Sequence, residues 1–243
     1  MDRKIRIGAV SYLNTKPLIY GFEKGLMKEE IDLLIDYPAR MASMLLKNEI
    51  DIGLVPVAII PSLKEHHIIS DYCIGCDGEV ASVCLFSDVP LTEIKSIFLD
   101  YQSKTSVALL KFLVREYWKI SPELIDGEKG YEEMINGNIA GLVIGDRALE
   151  KKSTYKYDLG LAWKEMTGLP FVFACWISNK KPQEDFIERF NSANKTGIDN
   201  LEKVVASNSY NKFDLMRYYT ECISYKLDIR KRAGLNLFLS KIS

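Results

Sequence analysis

Short apolar runs alternate along the chain with longer stretches in which apolar residues recur at helical spacing. Residues 4–10, 31–37 and 50–57 are predicted strands, and each is apolar at most of its positions. Residues 15–24 and 39–49, which lie between these strands, are predicted helices. Strands that are apolar on both faces and alternate with helices are typical of a parallel sheet covered by helices. The first quarter of the chain therefore predicts a βαβαβ unit.

The same alternation continues through the rest of the chain and predicts an α/β protein. The further predicted strands are 80–86, 96–99, 139–144 and 171–177. The further predicted helices are 103–118, 131–138 and the whole segment from Pro182 onward. The helix at 103–118 has a strong pattern, because its apolar residues from Val107 to Tyr117 lie at helical spacing.

The order of these elements allows two domain arrangements. The chain has 243 residues, more than the roughly 100–200 of a usual domain, and it contains no repeat and no Gly/Ser linker. Two lobes can form without a linker if the chain leaves the first lobe through one strand and returns through another. With residues 80–87 and 171–177 as the crossings, lobe one is 1–90 plus 173–243 and lobe two is 91–172. A single doubly wound domain fits the same pattern.

Composition and charge exclude several function classes. Lys plus Arg number 32 and Asp plus Glu number 33, whereas a nucleic-acid binder usually has a basic excess. No apolar run approaches the ~20 residues of a membrane span, and polar residues interrupt 7–18, unlike a secretory signal. Five cysteines are too few and odd in number for a disulfide scaffold. We expect a cytoplasmic protein with no nucleic-acid or membrane partner, present as a monomer or homodimer.

The histidines and cysteines give little support for metal or redox chemistry. Cys73 and Cys76 form a CxxC motif, but no second ligand pair for zinc accompanies it, and no helix begins there as in a redox motif. We interpret both cysteines, together with Cys84 and Cys175, as core residues. His66 and His67 are adjacent and so point to different faces, which does not make a metal pair. No motif for nucleotide binding or serine hydrolysis is present, and no cofactor is expected.

Polar side chains gather at the carboxyl ends of predicted strands, where ligands of parallel α/β sheets bind. The first group follows the strand at 4–10 and comprises Ser11, Tyr12, Asn14 and Thr15. Asn14 or Thr15 could instead only cap the next helix. The second group, Ser103, Thr105 and Ser106, lies at the start of the helix at 103–118. A helix start with hydroxyls and unpaired N–H groups favours a carboxylate or a phosphate.

The third group follows the strand at 139–144 and contains Asp146 and Arg147. Asp146 is suited either to cap the next helix or to orient a ligand hydroxyl, and Arg147 to pair with an acid or with a neighbouring helix. Ser82 lies within a predicted crossing strand, where its hydroxyl either faces the cleft or bonds to backbone. Together these groups indicate a cleft for a small, hydroxylated, anionic molecule. The pattern leaves a binding protein and an enzyme equally open.

One string in the first group, Ser-Tyr-Leu-Asn-Thr-Lys-Pro-Leu at 11–18, resembles the opening of the chorismate dehydratases of the futalosine route to menaquinone. Weaker matches follow in family order at 53–57, 80–83, 100–106, 144–146 and 168–174. The resemblance implies a two-lobed, periplasmic-binding-protein-like fold of type II, with two crossing strands and a central cleft. A sister branch of this fold, the 1,4-dihydroxy-6-naphthoate synthases, opens with a different string.

The implied reaction removes water from chorismate and gives 3-[(1-carboxyvinyl)oxy]benzoate, which makes the enzyme a carbon–oxygen lyase. Asn14, Ser82 and Asp146 are the expected catalytic residues, and the other polar groups, with Arg147, are expected to bind substrate. The proton acceptor is either Asp146 or the enolpyruvyl carboxylate of the substrate itself. The rival functions are the naphthoate synthase of the sister branch and a non-catalytic cytoplasmic solute-binding or sensor protein.

Overall fold

A computed structural model of the chain describes residues 3–242. Its strands are β1 (Ile5–Val10), β2 (Ile31–Asp36), β3 (Ile52–Pro56), β4 (His67–Cys76), β5 (Val83–Ser87), β6 (Ser96–Leu99), β7 (Glu123–Asp126), β8 (Ile139–Ile144), β9 (Tyr155–Asp158), β10 (Phe171–Ser178) and β11 (Ser224–Lys226). Its α-helices are α1 (Lys16–Glu23), α2 (Pro38–Leu46), α3 (Lys104–Glu116), α4 (Asp146–Glu150), α5 (Leu159–Thr167), α6 (Glu184–Ile198), α7 (Leu201–Ala206), α8 (Leu215–Arg217) and α9 (Ile229–Ile242). Among these residues, no helix is long and apolar enough to cross a membrane.

The first sheet contains the βαβαβ unit that the sequence predicts. Its strand order is β11-β4-β10-β3-β1-β2. β1 runs parallel to both β2 and β3, with Ile7 opposite Leu33 on one side and Ile52 on the other. β10 comes back from a distant part of the chain and inserts antiparallel between β3 and β4. All eight residues of β10 are buried, as its apolar sequence predicts.

The second sheet has the order β7-β6-β8-β5-β9. The chain enters this sheet between the end of β4 and the start of β5, and it returns to the first sheet between α5 and β10. Two crossings and two sheets make the two-lobed α/β fold. The lobe boundaries at 90 and 173 remain a prediction, but β5 pairs with β8 and β9 of the second sheet. The first crossing therefore lies at 77–82, between β4 and β5. Most of the crossing predicted at 80–87 is instead β5, a strand of the second sheet.

Several elements differ from their predictions for identifiable reasons. β7 and β9 were not predicted, because both are four-residue edge strands with mostly exposed or half-buried side chains and so lack an apolar run. The helix predicted at 131–138 is a single 3-10 turn, Tyr131–Met134. The segment from Pro182 is not helical throughout, since it contains a π turn at Tyr218–Cys222 and the short strand β11.

The packing of α1 against α6 holds the segment that follows β1. Gly21 on α1 and Gly197 on α6 lie at the contact, and a Cβ atom at either position would collide with a backbone carbonyl of the opposite helix. Behind this contact Phe22, Trp176 and Phe190 form an aromatic cluster whose ring centroids lie 5.0–6.2 Å apart. The close approach fixes α1, and with it the residues between β1 and α1, relative to the first sheet.

Candidate active site

A cavity lies between the two sheets. The carboxyl ends of β1, β3 and β8 and the start of α3 open onto it, as expected for a ligand site in an α/β sheet. Its walls are mostly apolar: Val10, Pro38, Pro56, Ile74, Val80, Val83, Ile144, Phe173 and Ala174. The polar side chains that line it are Tyr12, Asn14, Ser82, Ser103 and Ser106, and the backbone of Gly145 completes the lining. The cavity therefore brings together members of the first two polar groups and Ser82, whereas Asp146 and Arg147 of the third group lie outside its lining.

Among the residues that the structure describes, no charged side chain lines this cavity. An anion bound here must be stabilised by hydroxyl, amide and backbone N–H donors. Within residues 3–242, no three His, Cys, Asp or Glu side chains are grouped so as to hold a metal ion. The chemistry available at the cavity is hydrogen bonding and the dipole of α3.

The start of α3 is the strongest candidate for a carboxylate anchor. Ser103 is the N-cap of this 13-residue helix, and its Oγ accepts the Ser106 N–H at 3.3 Å and the Ser106 hydroxyl at 3.0 Å. Both serines line the cavity, so Ser103 caps the helix and faces the ligand space at once. The first turn of a helix leaves N–H groups without intrahelical acceptors. Lys104 is exposed and lies outside the lining.

Four of the predicted binding residues lie outside the cavity lining: Ser11, Thr15, Thr105 and Arg147. Ser11 is exposed to solvent. Thr15 is fully buried, and its hydroxyl lies 3.4 Å from the Asn14 Oδ1 atom. Thr105 is also fully buried, and its Oγ1 accepts the Ala58 N–H at 3.1 Å. Thr105 thus joins α3 to the segment after β3, while its neighbours Ser103 and Ser106 face the cavity.

Arg147 is paired with carboxylates beside the cavity and does not line it. Its guanidinium lies 2.6 Å from the fully buried carboxylate of Asp100 and also pairs with Glu132. Burial lowers the pKa of Arg147, but the two acidic partners outweigh burial and hold this pKa above its ordinary value. The Arg147 charge is therefore largely neutralised within lobe two.

Tyr12 connects that charged cluster to the cavity. Its hydroxyl hydrogen-bonds to the Gln102 side chain, which also accepts from Arg147 at 3.1 Å. Burial and the nearby Asp100 raise the pKa of Tyr12 above its ordinary value, so the hydroxyl stays protonated. The Tyr12 ring packs on Gly145, which has φ +65°, and a Cβ atom there would lie 2.9 Å from the ring. A glycine is required at this position for both reasons.

Asp146 lies next to the cavity but is engaged elsewhere. Its Oδ1 accepts the backbone N–H of Leu13 at 3.1 Å, which joins the start of α4 to the segment after β1. Burial raises the pKa of Asp146 above its ordinary value, although the Leu13 N–H acts in the opposite direction. Asp146 does not line the cavity, whereas Asn14 and Ser82 do.

Ser82 sits in a turn whose backbone is held on several sides. Ala81, the residue before it, has φ +61°, a conformation uncommon for a residue with a side chain. The buried carboxylate of Asp158 accepts the N–H groups of Val80 at 3.1 Å and of Ala81 at 2.7 Å. The Ser82 carbonyl accepts the Gly145 N–H at 2.8 Å. These bonds present the Ser82 side chain to the cavity.

The C-terminal segment supplies two tyrosines that the sequence reasoning missed. The Tyr218 hydroxyl donates to Ser82 Oγ at 2.7 Å, and the Tyr225 hydroxyl donates to the Asn14 carbonyl oxygen at 3.0 Å. Asp158, which holds the turn before Ser82, was missed as well. None of these residues belongs to a recognisable motif. Their roles depend on tertiary contacts across 77–211 residues of sequence, which periodicity does not reveal.

The two sheets, the two crossings and the cavity between them define a protein of the periplasmic-binding-protein fold class. A solved protein of Archaeoglobus fulgidus superposes with a TM-score of 0.75 at 16% identity, covering 98% of this chain and 96% of that one. The periplasmic aliphatic sulphonate binding protein of Escherichia coli gives a TM-score of 0.60 at 12% identity, covering 99% and 93%. At these identities the likeness establishes the fold alone.

Residues 5–243 match the family model described as menaquinone biosynthesis, and the chain belongs to that family. It is 26% identical over 257 residues to the chorismate dehydratase of Thermus thermophilus, covering 96% of this chain and 93% of the relative. It is 24% identical over 242 residues to the chorismate dehydratase of Campylobacter jejuni, covering 96% and 95%. These comparisons confirm the resemblance that the string at 11–18 indicates.

Proposed function

We propose that this protein is a cytoplasmic chorismate dehydratase, which eliminates water from chorismate to give 3-[(1-carboxyvinyl)oxy]benzoate on the futalosine route to menaquinone. The observation that carries the proposal is the cavity between the sheets, where Asn14 and Ser82 share one lining with the start of α3. Family membership and the two relatives named as chorismate dehydratases support it.

The cavity suits a ring that carries two carboxylates. The apolar walls pack against the ring faces, as in small-molecule pockets lined mainly by hydrophobic side chains. Burial of a dianion requires compensation. The Ser103 hydroxyl and the N–H groups of the first turn of α3 bind one carboxylate, and the Ser106 hydroxyl, which donates to Ser103 Oγ, holds Ser103 in place. The Tyr12 hydroxyl donates to Gln102, so Tyr12 lines the cavity without offering a free donor.

The elimination removes the ring hydroxyl and the proton of the neighbouring ring carbon. The C–H electron pair becomes a ring π bond, the C–O bond breaks, and the hydroxide leaves as water after taking up a proton. Asn14 and Ser82 donate hydrogen bonds to the departing oxygen and stabilise its developing charge. Because the ring becomes aromatic, correct positioning and charge stabilisation supply most of what the reaction needs.

We assign the role of base to the enolpyruvyl carboxylate of the substrate. Among the described residues that line the cavity there is no carboxylate and no histidine. Asp146, the protein alternative, points its Oδ1 at the Leu13 N–H and lies outside the lining. The substrate carboxylate is carried on the ether next to the ring proton, so a pose fixed by the cavity brings the two together.

A non-catalytic solute-binding protein is the second candidate. The observation that favours it is the likeness in fold to the periplasmic aliphatic sulphonate binding protein, together with a cavity that lacks a resident base. A sensor of this kind would bind chorismate and release it unchanged. A naphthoate synthase of the sister branch would neither bind nor convert it.

The three functions are separated by incubating the purified protein with chorismate and following substrate and product by liquid chromatography with mass detection. The dehydratase converts chorismate to a stable benzoate whose mass is lower by one water. Asn14→Ala, prepared in parallel, controls for contaminating activity. The same experiment after exhaustive chelation tests the absence of a metal requirement, and the proposal expects unchanged turnover.

A further inference from the structure

Two adjacent tyrosines in the C-terminal segment are both buried, and one of them hydrogen-bonds to Ser82, a residue that lines the cavity. Tyr218 and Tyr219 open the π turn at Tyr218–Cys222, directly after α8. Their side chains are 0% and 2% exposed. π turns are rare in proteins and are frequent at functional sites. Here the turn places one tyrosine on a residue that lines the cavity and the next in the surrounding core.

The Tyr218 hydroxyl determines how the Ser82 hydroxyl is used. Tyr218 donates to Ser82 Oγ at 2.7 Å, and burial keeps the phenol protonated by raising its pKa far above the ordinary value. A serine hydroxyl has one proton and two acceptor lone pairs. With one lone pair occupied by Tyr218, and with the Ser82 backbone held by Gly145, the Ser82 proton is directed to the cavity side.

We propose that Tyr218 is a positioning residue, which acts through Ser82 by holding its hydroxyl as a hydrogen-bond donor toward the ring oxygen of the substrate. The inference rests on the proposed dehydratase function and adds a residue to it. Tyr218 does not line the cavity, so it acts through the lining side chains that it contacts, which are Ser82 at 2.7 Å and Asn14. Loss of the Tyr218 hydroxyl leaves Ser82 free to turn its proton away from the substrate.

Tyr218→Phe tests the inference, and Tyr219→Phe is its matched control. Both variants remove one buried phenolic oxygen from neighbouring residues of the same turn. Within residues 3–242, the Tyr219 hydroxyl has no hydrogen-bond partner. We expect Y218F to lower kcat by about five- to tenfold with KM unchanged, and Y219F to leave both constants at the wild-type value. Circular dichroism and thermal unfolding of each variant check the fold.

A double-mutant cycle with Ser82→Ala separates positioning from a general structural effect. If Tyr218 acts through the Ser82 hydroxyl, Y218F has no further effect on kcat in the S82A background. The inference is overturned if Y218F has wild-type kcat, or if it causes the same loss in both backgrounds. It is also overturned if Y219F loses as much activity as Y218F.

Crystal structures give a second readout that does not depend on turnover. We expect one Ser82 rotamer, bonded to Tyr218, in the wild type and at least two rotamers in Y218F. The same single Ser82 rotamer in both proteins contradicts the inference. A wild-type structure in which Ser82 points away from Tyr218 also contradicts it, and this result does not require Y218F to fold. A wild-type protein that leaves chorismate unchanged would instead refute the proposed function, while the rotamer comparison still decides the role of Tyr218.

Discussion

The backbone N–H of Leu13 donates to the Asp146 carboxylate at 3.1 Å, across the gap between the first sheet and the second. This bond occupies the carboxylate that sequence reasoning offers as the proton acceptor. A group that accepts a backbone N–H and lies outside the cavity lining is suited to holding the two lobes together. Replacement of Asp146 by asparagine distinguishes this structural role from a catalytic one.

Asp146→Asn should keep much of its turnover. An asparagine side chain retains an oxygen that can accept the Leu13 N–H, but it cannot take up the ring proton. We expect the kcat of this variant, measured by product formation from chorismate, to stay within about tenfold of the wild type. A change of that size corresponds to the loss of one neutral hydrogen bond. Abolished turnover with chorismate binding intact would instead assign the base to Asp146.

The stability of the same variant should differ from the wild type in a pH-dependent way. Burial raises the Asp146 pKa above its ordinary value of 3.8, so the folded protein binds this proton more tightly than the unfolded chain. The stabilising contribution is therefore fully present below about pH 3.8 and is lost as the pH rises through the raised pKa. We expect the melting temperature of D146N, relative to wild type, to increase from pH 4 to pH 7. A difference that shrinks over this range would show that the fold favours the carboxylate.

Asn14→Ala and Ser82→Ala should each lose most of the turnover. Both side chains line the cavity and are assigned to the departing oxygen, where removal of one donor typically costs about 10²- to 10³-fold in kcat. Asn211→Ala and Ser209→Ala, the same substitutions at exposed positions, serve as controls and should be unaffected. Wild-type kcat in either cavity variant would remove that residue from the mechanism.

Ser106 and Thr105, neighbours at the start of α3, should have different roles: Ser106 in substrate binding and Thr105 in stability. Ser106→Ala removes a hydroxyl that faces the cavity, so we expect KM for chorismate to rise several-fold. Thr105→Val removes the acceptor of the buried Ala58 N–H, which should cost about 1–3 kcal/mol of stability with little change in KM. The reverse result, a higher KM only in T105V, would support the binding role predicted for Thr105 from the sequence.

The cysteines should resist modification in the native protein. All five are buried and unpaired, and burial raises the pKa of Cys73 to about 12. Because the thiolate is the reactive form, we expect no alkylation by iodoacetamide at pH 8 and complete alkylation after denaturation, as read by intact mass. Rapid native labelling of Cys73 or Cys76 would contradict their interpretation as core residues.

The sequence predicts some parts of this molecule well because the information is local. Helix α3 follows from its apolar spacing, and the βαβαβ unit follows from buried strands that alternate with helices. Polar residues at strand ends converge on one cavity because parallel strands end at the same edge. Asn14 and Ser103 could be found in this way.

Other parts depend on information that no local pattern carries. The apolar sequence of β5 suits a buried strand in the first sheet as well as in the second. It therefore does not reveal that β5 pairs with β8 and β9. Tyr218 reaches Ser82 over 136 residues of sequence and resembles any buried tyrosine before the fold is known. Whether Thr105 or its neighbours face the cavity depends on the rotation of α3 against the first lobe, which a helical pattern leaves undetermined.

The most direct test of the account is the identity of the product that the wild-type protein forms from chorismate with no added metal or cofactor. The account predicts stoichiometric conversion to 3-[(1-carboxyvinyl)oxy]benzoate, retained in D146N and largely lost in N14A. Chorismate that is recovered unchanged after binding to the protein would contradict a dehydratase and leave a solute-binding protein.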